Sequence, residues 1–501
     1  MATPIPRNEA QLTAWEVAAA TGGHLARVHG EGRVARGITS DSRAVRPGAA
    51  FFALRGEIHD GHAHAPAAVR AGAVLVVVER GAVPLTGLAD ADVVEVDDTL
   101  LAWGAVARAH LRRWRRSRLG TDPARTLCIT GSSGKTTTKE LATGLLAEVG
   151  ETLATPGNLN NRIGLPAVAL TLEPRHRFAV LEAGMSLPGE IAALAGIAEP
   201  DVGLITNVGL AHAEGVGGGR ADVGREKGAL YAALSRDGTA VVNADDAAAL
   251  GQLVRTRARD VRSFGRGADA TYRLVDRVVR GTAGARVTIE RPCADCVGAV
   301  PGAARDLVEV ELALVGEVAA LDLCGALAAV EAMVGRSLTH EEISRGVARV
   351  AHVDGRAAVL ELADGTLVID DTYNANPGSV RAALGTLADL AGGTRRTVVV
   401  LGEMKEIGET TRAEHEALGA AVAAAHADVL VTCGGLATLI ADRAEECGVA
   451  VRKCTDVDEA AAAAASVVQP GDVVLVKASR SVKTENVVRA LVAKHGKRGG
   501  S

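Results

Sequence analysis

The chain has 501 residues, too many for one ordinary hydrophobic core, so two to four domains are expected. Hydrophobic residues make up 48% and charged residues 23%, which excludes an intrinsically disordered chain. The formal charge of -5, with acids and bases interleaved, excludes the basic footprint that nucleic acid or an anionic membrane would require.

The first residues, "MATPIPRNEAQLTAWEV", show neither a basic start with an apolar stretch nor a cleavage site. The apolar run Ala71–Val78 falls well short of a membrane span. A cytoplasmic protein without membrane insertion is the expectation. Thr13-x-x-Glu16 is a capping-box pattern, and it predicts a short helix through Ala20. "GITSDSRAVRPGAAFFALRG" then alternates turns with short β-like runs. "AAVRAGAVLVVVE" reads as helix, glycine turn and buried strand. These elements predict a small α/β domain over residues 1–123, with a polar, Arg-rich helix, "ARAHLRRWRRSRLG", leading out of it.

From Arg125 the pattern becomes apolar strands followed by Ala/Leu-rich helices. "RTLCIT" is a buried strand, and "GKTTTKELATGLLAEVG" a helix ending at Gly150. "HRFAVLEAG", "PDVGLITNVG" and "GTAVVNADD" repeat the strand-then-turn pattern. Such alternation predicts a parallel sheet with helices on both faces. The β-rich stretch from about Ala268 to Val315 predicts a side sheet, completing a domain over residues 124–350. A third unit, residues 351–501, carries four buried strands in "GTLVIDD", "TVVVLG", "ADVLVTCGG" and "GDVVLVKAS". The fold class is α/β in three domains. The centre is a doubly wound parallel sheet of P-loop type with its β side sheet, and the C-terminal domain is Rossmann-like.

Aromatics are only 2%, so the cores must be built from Ala, Val, Leu and Ile. The seven cysteines are odd in number and irregular in spacing, which argues against a disulfide framework. Cys293-x-x-Cys296 lacks the two further ligands a zinc site needs and reads as incidental.

"TLCITGSSGKTTTKE" holds the chemistry most directly. A strand ends, two glycines allow a tight turn, and a helix begins, so backbone N–H groups converge on one anion. Lys135 supplies a point charge, and Thr136 or Thr137 a hydroxyl for Mg²⁺. The usual pattern places a further glycine five residues before Gly134, where this chain has Ile129. An ordinary strand–helix turn containing Gly-Lys-Thr is the competing reading. Glu182 ends a buried strand, where carboxylates meet metals. His212 follows a strand end in a glycine-rich loop; taken alone it reads as a satisfied polar residue, as Lys227 alone reads as a solvated lysine. Asp370, Asp371, Asn374 and Asn376 cluster at another strand end, where doubly wound sheets bind ligands.

Together, "TSDSRAVRPGAAFFALRG", "GSSGKTTTKE", "TPGNLNNRIGLP", "DDTYNANPGSVRAAL" and "VVVLGEMKEIGE" resemble the Mur ligase family over nearly the whole chain. That superfamily's phosphate loop lacks the earlier glycine, so Ile129 agrees with the resemblance. Position by position, the resemblance implies that Gly131, Ser132, Ser133, Gly134, Lys135, Thr136 and Thr137 cradle the phosphates of ATP. It implies that Thr136 and Glu182 share one Mg²⁺, and that His212 and a carbamylated Lys227 bear on a second. Lys135, His212 and Lys227 would be the catalytic set. Arg356 and Asp371 would reach ATP from the third domain. Ser42 and Arg43 would belong to the uridine-nucleotide site, with Asn160, Asn161, Asn374 and Asn376 on the substrate side. The chain departs from the family's "G-x-H-N-x-x-N-A-x-A-A" stretch, whose polar residues help hold adenine: Leu321, Asp322 and Gly325 stand at the His and the two Asn positions.

The branch implied by "NLNN" and "YNANP" joins D-alanyl-D-alanine to UDP-N-acetylmuramoyl-tripeptide through an acyl phosphate, releasing ADP and phosphate. A monomer acting in cytoplasmic peptidoglycan precursor synthesis is the expectation. The alternatives are another amide ligase of this type, either the one adding the third residue or folylpolyglutamate synthase, and a nucleotide-binding switch or paralogue that does not ligate.

Overall fold

The computed structural model describes residues 3–56, 59–118, 120, 122–293 and 305–496. Cys296 lies outside them, so the Cys293–Cys296 pair is not described as a pair. The chain forms two compact units, and passes from one to the other within the strand Arg125–Thr130.

The first unit comprises residues 1–128, 150–184 and 190–201. Its main sheet has the order His24–Arg27, Asp92–Val96, Leu75–Glu79, Ala50–Phe52, Ile38–Thr39; only the first strand is antiparallel to its neighbour. Thr13 caps the helix Ala14–Thr21 through a capping box shared with Glu16, as its spacing predicts. Arg-rich as it is, the helix Thr99–Ser117 has a buried face, begins at the Asp98 cap and carries two of the chain's three tryptophans. Trp103 packs edge-on against Phe52 at 5.3 Å and donates its indole N–H to the Ile163 carbonyl at 3.0 Å; Trp114 donates to the His176 carbonyl at 2.9 Å. Each ring thus buries a large apolar surface without leaving its N–H unsatisfied.

The second unit comprises residues 129–149, 185–189 and 202–501. The strands Val202–Ile205, Thr239–Asn243, Asp260–Gly265 and Tyr272–Val279 run parallel. Ala285–Pro292 and Arg305–Leu312 extend the row antiparallel, forming the expected side sheet. Arg291 on that side sheet reaches the buried carboxylate of Glu331 on the long helix Glu317–Val334. Glu331 also accepts from the Tyr272 hydroxyl at 2.7 Å and the Leu338 N–H at 2.9 Å. The helix Lys135–Leu146 stops short of Gly150, because the Glu148 and Val149 N–H groups bond three residues back and tighten the last turn.

A further sheet in this unit has the order Ala358–Glu361, Leu367–Asp370, Val473–Lys477, Thr397–Gly402, Val429–Cys433, Ala450–Cys454. Two of these six are additions to the four expected strands. Ala358–Glu361 is only half-buried throughout, and Ala450–Cys454 exposes Arg452 and Lys453, so neither shows the apolar run of a central strand. The period-2 alternation of the central strands buries both faces. Ile369, Val399, Leu401, Leu430 and Leu475 pack under helices Pro377–Ala391, Thr411–Ala424 and Ala437–Glu446. Val368, Val398, Val400, Val431 and Val474 pack under Val457–Val467 and Glu485–His495. Each such side chain contributes about 1.5–3 kcal/mol by leaving water. The helices change face around the strand Val473–Lys477, so the loops at its carboxyl end and those of its neighbours open onto a topological switch point.

Candidate active site

The loop after Arg125–Thr130 is built against the segment that follows Val202–Ile205. The Thr206 N–H donates to the Thr130 carbonyl, and the Ser132 N–H to the Asn207 carbonyl, both at 3.0 Å. The Asn207 side chain accepts the Ser133 N–H at 3.0 Å and donates to the Ser133 hydroxyl at 2.9 Å. A Cβ on Gly131 would overlap the Thr206 hydroxyl, so a side chain cannot be placed there. Gly134 has φ +79° and lies against Asp322, where a Cβ would stand 2.5 Å from the Asp322 Oδ1. Both glycines are therefore required, one by contact and one by backbone as well. The amides of Ser132 and Ser133 are used inside the protein. The helix Lys135–Leu146 begins just after them, and a helix start directs its first N–H groups and the positive end of its dipole towards an anion. Thr206 and Asn207 brace this loop, a role the sequence signals only by "TN" directly following a buried strand.

Around this helix start the second unit assembles Lys135, His212 and Lys227. Lys227 is 2% exposed, so the reading of an isolated solvated lysine is corrected: its helix Arg220–Lys227 turns this residue into the interior. Burial, reinforced by the like charge of Lys135, pushes its amine well below the ordinary lysine range. His212 stands at φ +57°, and its Nδ1 bonds the Glu406 carboxylate. Burial lowers its pKa, with Lys135 and Lys227 adding to the effect and Glu406 opposing it. The Lys135 ammonium donates to the Gly131 carbonyl at 2.8 Å.

Residues after Ala351 complete this cluster. An Arg356 guanidinium nitrogen lies 3.3 Å from the Thr136 hydroxyl, and the guanidinium stacks 4.0 Å above the Tyr373 ring. Asp371 accepts from buried Lys477 at 2.6 Å, and Lys477 also donates to the Asn374 carbonyl. Asn376 caps the helix Pro377–Ala391 through its Oδ1 and donates its Nδ2 to the Ser132 carbonyl at 3.3 Å, so both ends of its amide are structural. Tyr373, Lys477 and Glu406 also belong to this assembly, and no local pattern marks any of the three individually as a site residue.

Other predicted residues lie in the first unit. Glu182 is buried at the end of its strand and accepts from the Asn160 side chain at 2.7 Å; the buried Thr155 hydroxyl accepts the Glu182 N–H at 2.9 Å. Asn161 accepts from the Ile163 and Gly164 N–H groups and so starts the helix Gly164–Ala169. Ser42 and Arg43 sit in the turn Ser42–Ala44. Arg43 is 89% exposed and paired with Asp41 at 2.8 Å, and this hydrogen bond holds the Asp41 carboxyl below its usual range.

The departure at Asp322 and Gly325 has a local explanation. Phe264 is buried, and a Cβ on Gly325 would already stand 3.0 Å from its ring. The ring occupies the space an asparagine side chain would need. Asp322 is buried beside Gly134, and burial pushes its carboxyl well up, opposed by the Thr138 hydroxyl and the Arg356 charge.

Among the described residues, no three His, Cys, Asp or Glu side chains converge into a metal cage. Mg²⁺ takes one or two protein oxygens and completes its shell with phosphate and water. The Thr136 hydroxyl is a donor of that kind.

Three family models match in succession: "Mur ligase family, catalytic domain" at residues 34–111, "Mur ligase middle domain" at 129–330, and "Mur ligase, glutamate ligase domain" at 355–480. The UDP-N-acetylmuramoyl-tripeptide–D-alanyl-D-alanine ligase of Escherichia coli strain K12 is 34% identical, over 91% of this chain and 93% of its own. The chain belongs to the Mur ligase family. Among solved Mur ligases, crystal structure I of MurF from Acinetobacter baumannii superposes with a TM-score of 0.82 at 28% identity, covering 98% of this chain and 100% of that one. The MurF ligase of Thermotoga maritima in complex with ADP superposes at 0.77 and 28%, covering 92% and 98%.

Proposed function

We propose that this Mur ligase joins the amine of D-alanyl-D-alanine to the terminal carboxylate of UDP-N-acetylmuramoyl-tripeptide, converting ATP to ADP and phosphate. The observation that carries this reading is agreement along almost the whole chain with relatives of that name, the Escherichia coli enzyme among them. The binding of ADP by the Thermotoga maritima ligase supports ATP as the nucleotide. The reading of another amide ligase is less well supported, because "NLNN" and "YNANP" follow the dipeptide-adding pattern.

The substrate carboxylate must approach the γ-phosphate, and both are anions. At about 4 Å and an effective dielectric near 20, each pair of unit charges repels by about 4 kcal/mol. Lys135 and the amides of the first helical turn offset this repulsion where the charge concentrates. By the family resemblance, Thr136 and Glu182 would each offer an oxygen to one Mg²⁺, and His212 with a carbamylated Lys227 would bear on a second; such ions, when bound, would neutralise phosphate charge. The buried, lowered amine of Lys227 supports carbamylation, since only a neutral amine attacks CO₂. A carboxylate oxygen attacks the γ-phosphorus, and ADP departs. The dipeptide amine then attacks the acyl carbon, and phosphate leaves with that carboxylate oxygen. Excluding water protects the acyl phosphate from hydrolysis. Arg356, steadied on Tyr373 beside Thr136, and Asp371 would contact ATP. Ser42 and Arg43 would meet the uridine nucleotide, and Asn160, Asn161, Asn374 and Asn376 would shape the substrate side.

The working division is residues 1–123, 124–350 and 351–501, and one family model falls within each. A monomer is part of this proposal, and the nucleotide-linked substrates support a cytoplasmic enzyme. No helix among the described residues is long and apolar enough to cross a membrane. Phosphate release with purified UDP-muramoyl-tripeptide should require D-alanyl-D-alanine. Slow release that ignores the dipeptide would point to a nucleotide switch instead.

A further inference from the structure

The loop that follows the strand Thr397–Gly402 lies along the loop that carries His212. The Glu214 N–H donates to the Glu406 carbonyl at 3.3 Å, and a Cβ on Gly408 would stand 2.9 Å from the Gly218 carbonyl. Between these contacts the Glu406 carboxylate bonds the His212 Nδ1. Both residues hold left-handed backbones, φ +62° and +57°, which side chains other than glycine seldom adopt. The Glu406 loop is itself pinned. The Met404 N–H donates to the His415 Nε2 at 3.0 Å, and the Lys405 N–H to the Ser479 hydroxyl at 2.8 Å. His415 in turn donates its Nδ1–H to the Thr411 carbonyl at 2.7 Å.

We propose that Glu406 is a positioning residue, whose carboxylate holds the Nδ1–H of His212 and leaves Nε2 as the lone-pair nitrogen offered to the site. An ionised carboxylate can only accept, so the proton of this bond must sit on Nδ1. A carboxylate that orients a histidine this way fixes both its tautomer and its ring plane. Two left-handed residues joined side chain to side chain place that strain at one contact. The device also ties His212 to the loop of a different sheet, so its orientation depends on that loop being in place. The step from an oriented histidine to a metal rests on the ligase reading; the tautomer itself does not.

The test is nitrogen-15 NMR of histidine-labelled full-length protein at a pH where imidazoles are neutral, with His212 assigned by His212→Gln. Wild type and Glu406→Gln should show His212 protonated at Nδ1, since the glutamine carbonyl still accepts. Glu406→Ala should shift His212 towards the Nε2–H form, with an unchanged melting temperature reporting an intact fold. A Glu406→Ala spectrum identical to wild type, or a wild-type His212 protonated at Nε2, would overturn the proposal. Mn²⁺ titrated with a non-hydrolysable ATP analogue and read by electron paramagnetic resonance gives the second measure. Half-saturation should rise roughly tenfold in Glu406→Ala but not in Glu406→Gln. If wild type binds no Mn²⁺ while the tautomer is locked, the ligase reading fails and the positioning role stands.

Discussion

Lys227 shows how far a single residue can differ from its sequence context. In "REKGALY" it has no feature that separates it from a surface lysine, yet it is buried beside Lys135. A lysine placed there is costly as a cation and useful as a neutral amine. Lys227→Ala should lower turnover by at least a hundredfold, with formate or acetate restoring part of it; full activity in the alanine variant would remove the carbamate role. Asp322 makes the opposite prediction for stability. Its carboxyl is raised in the fold, so its contribution is fully present below the unfolded carboxylate pKa and is lost as pH rises through the folded value. Asp322→Asn should leave the melting temperature unchanged in acid and raise it by a few degrees at neutral pH and above. Equal shifts at all pH values would show that burial of charge is not the cause.

At the scale of elements, the strand–loop–helix unit from Arg125 to Leu146 was legible because its glycines, lysine and apolar strand all act locally. Its bracing by Thr206 and Asn207 was not, because that depends on which strand lies beside it. The edge strands Ala358–Glu361 and Ala450–Cys454 escaped for a related reason: they lack the continuous burial that marks a central strand. The exchange at Gly325 is likewise a property of two elements. Gly325→Asn should destabilise the protein by about 1–3 kcal/mol through overpacking against Phe264. Adding Phe264→Leu should recover part of that loss, and simple additivity in the double variant would exclude the contact. The side sheet is held to its helix by the Arg291–Glu331 pair. Glu331→Ala leaves the buried guanidinium without this partner and should cost about 3–5 kcal/mol in denaturant unfolding.

At the scale of the whole molecule, the alternation of apolar strands with Ala-rich helices made the α/β class legible, and the order of short blocks along the chain made the family legible. The arrangement of the site was less accessible. Glu406 and Lys477 lie in segments far from the phosphate loop in sequence, and only folding brings Glu406 to His212 and Lys477 to Asp371. Several predicted polar residues also proved to have structural duties, Asn376 as a helix cap and Asn161 at a helix start. In the proposed reaction a substrate carboxylate is activated as an acyl phosphate before the amine arrives. The most direct test of this step is turnover of UDP-N-acetylmuramoyl-tripeptide labelled with oxygen-18 in the terminal carboxylate, with ATP and D-alanyl-D-alanine, followed by mass spectrometry of the phosphate. An acyl-phosphate route leaves one labelled oxygen in each phosphate released, together with ADP and the pentapeptide product; unlabelled phosphate would contradict it.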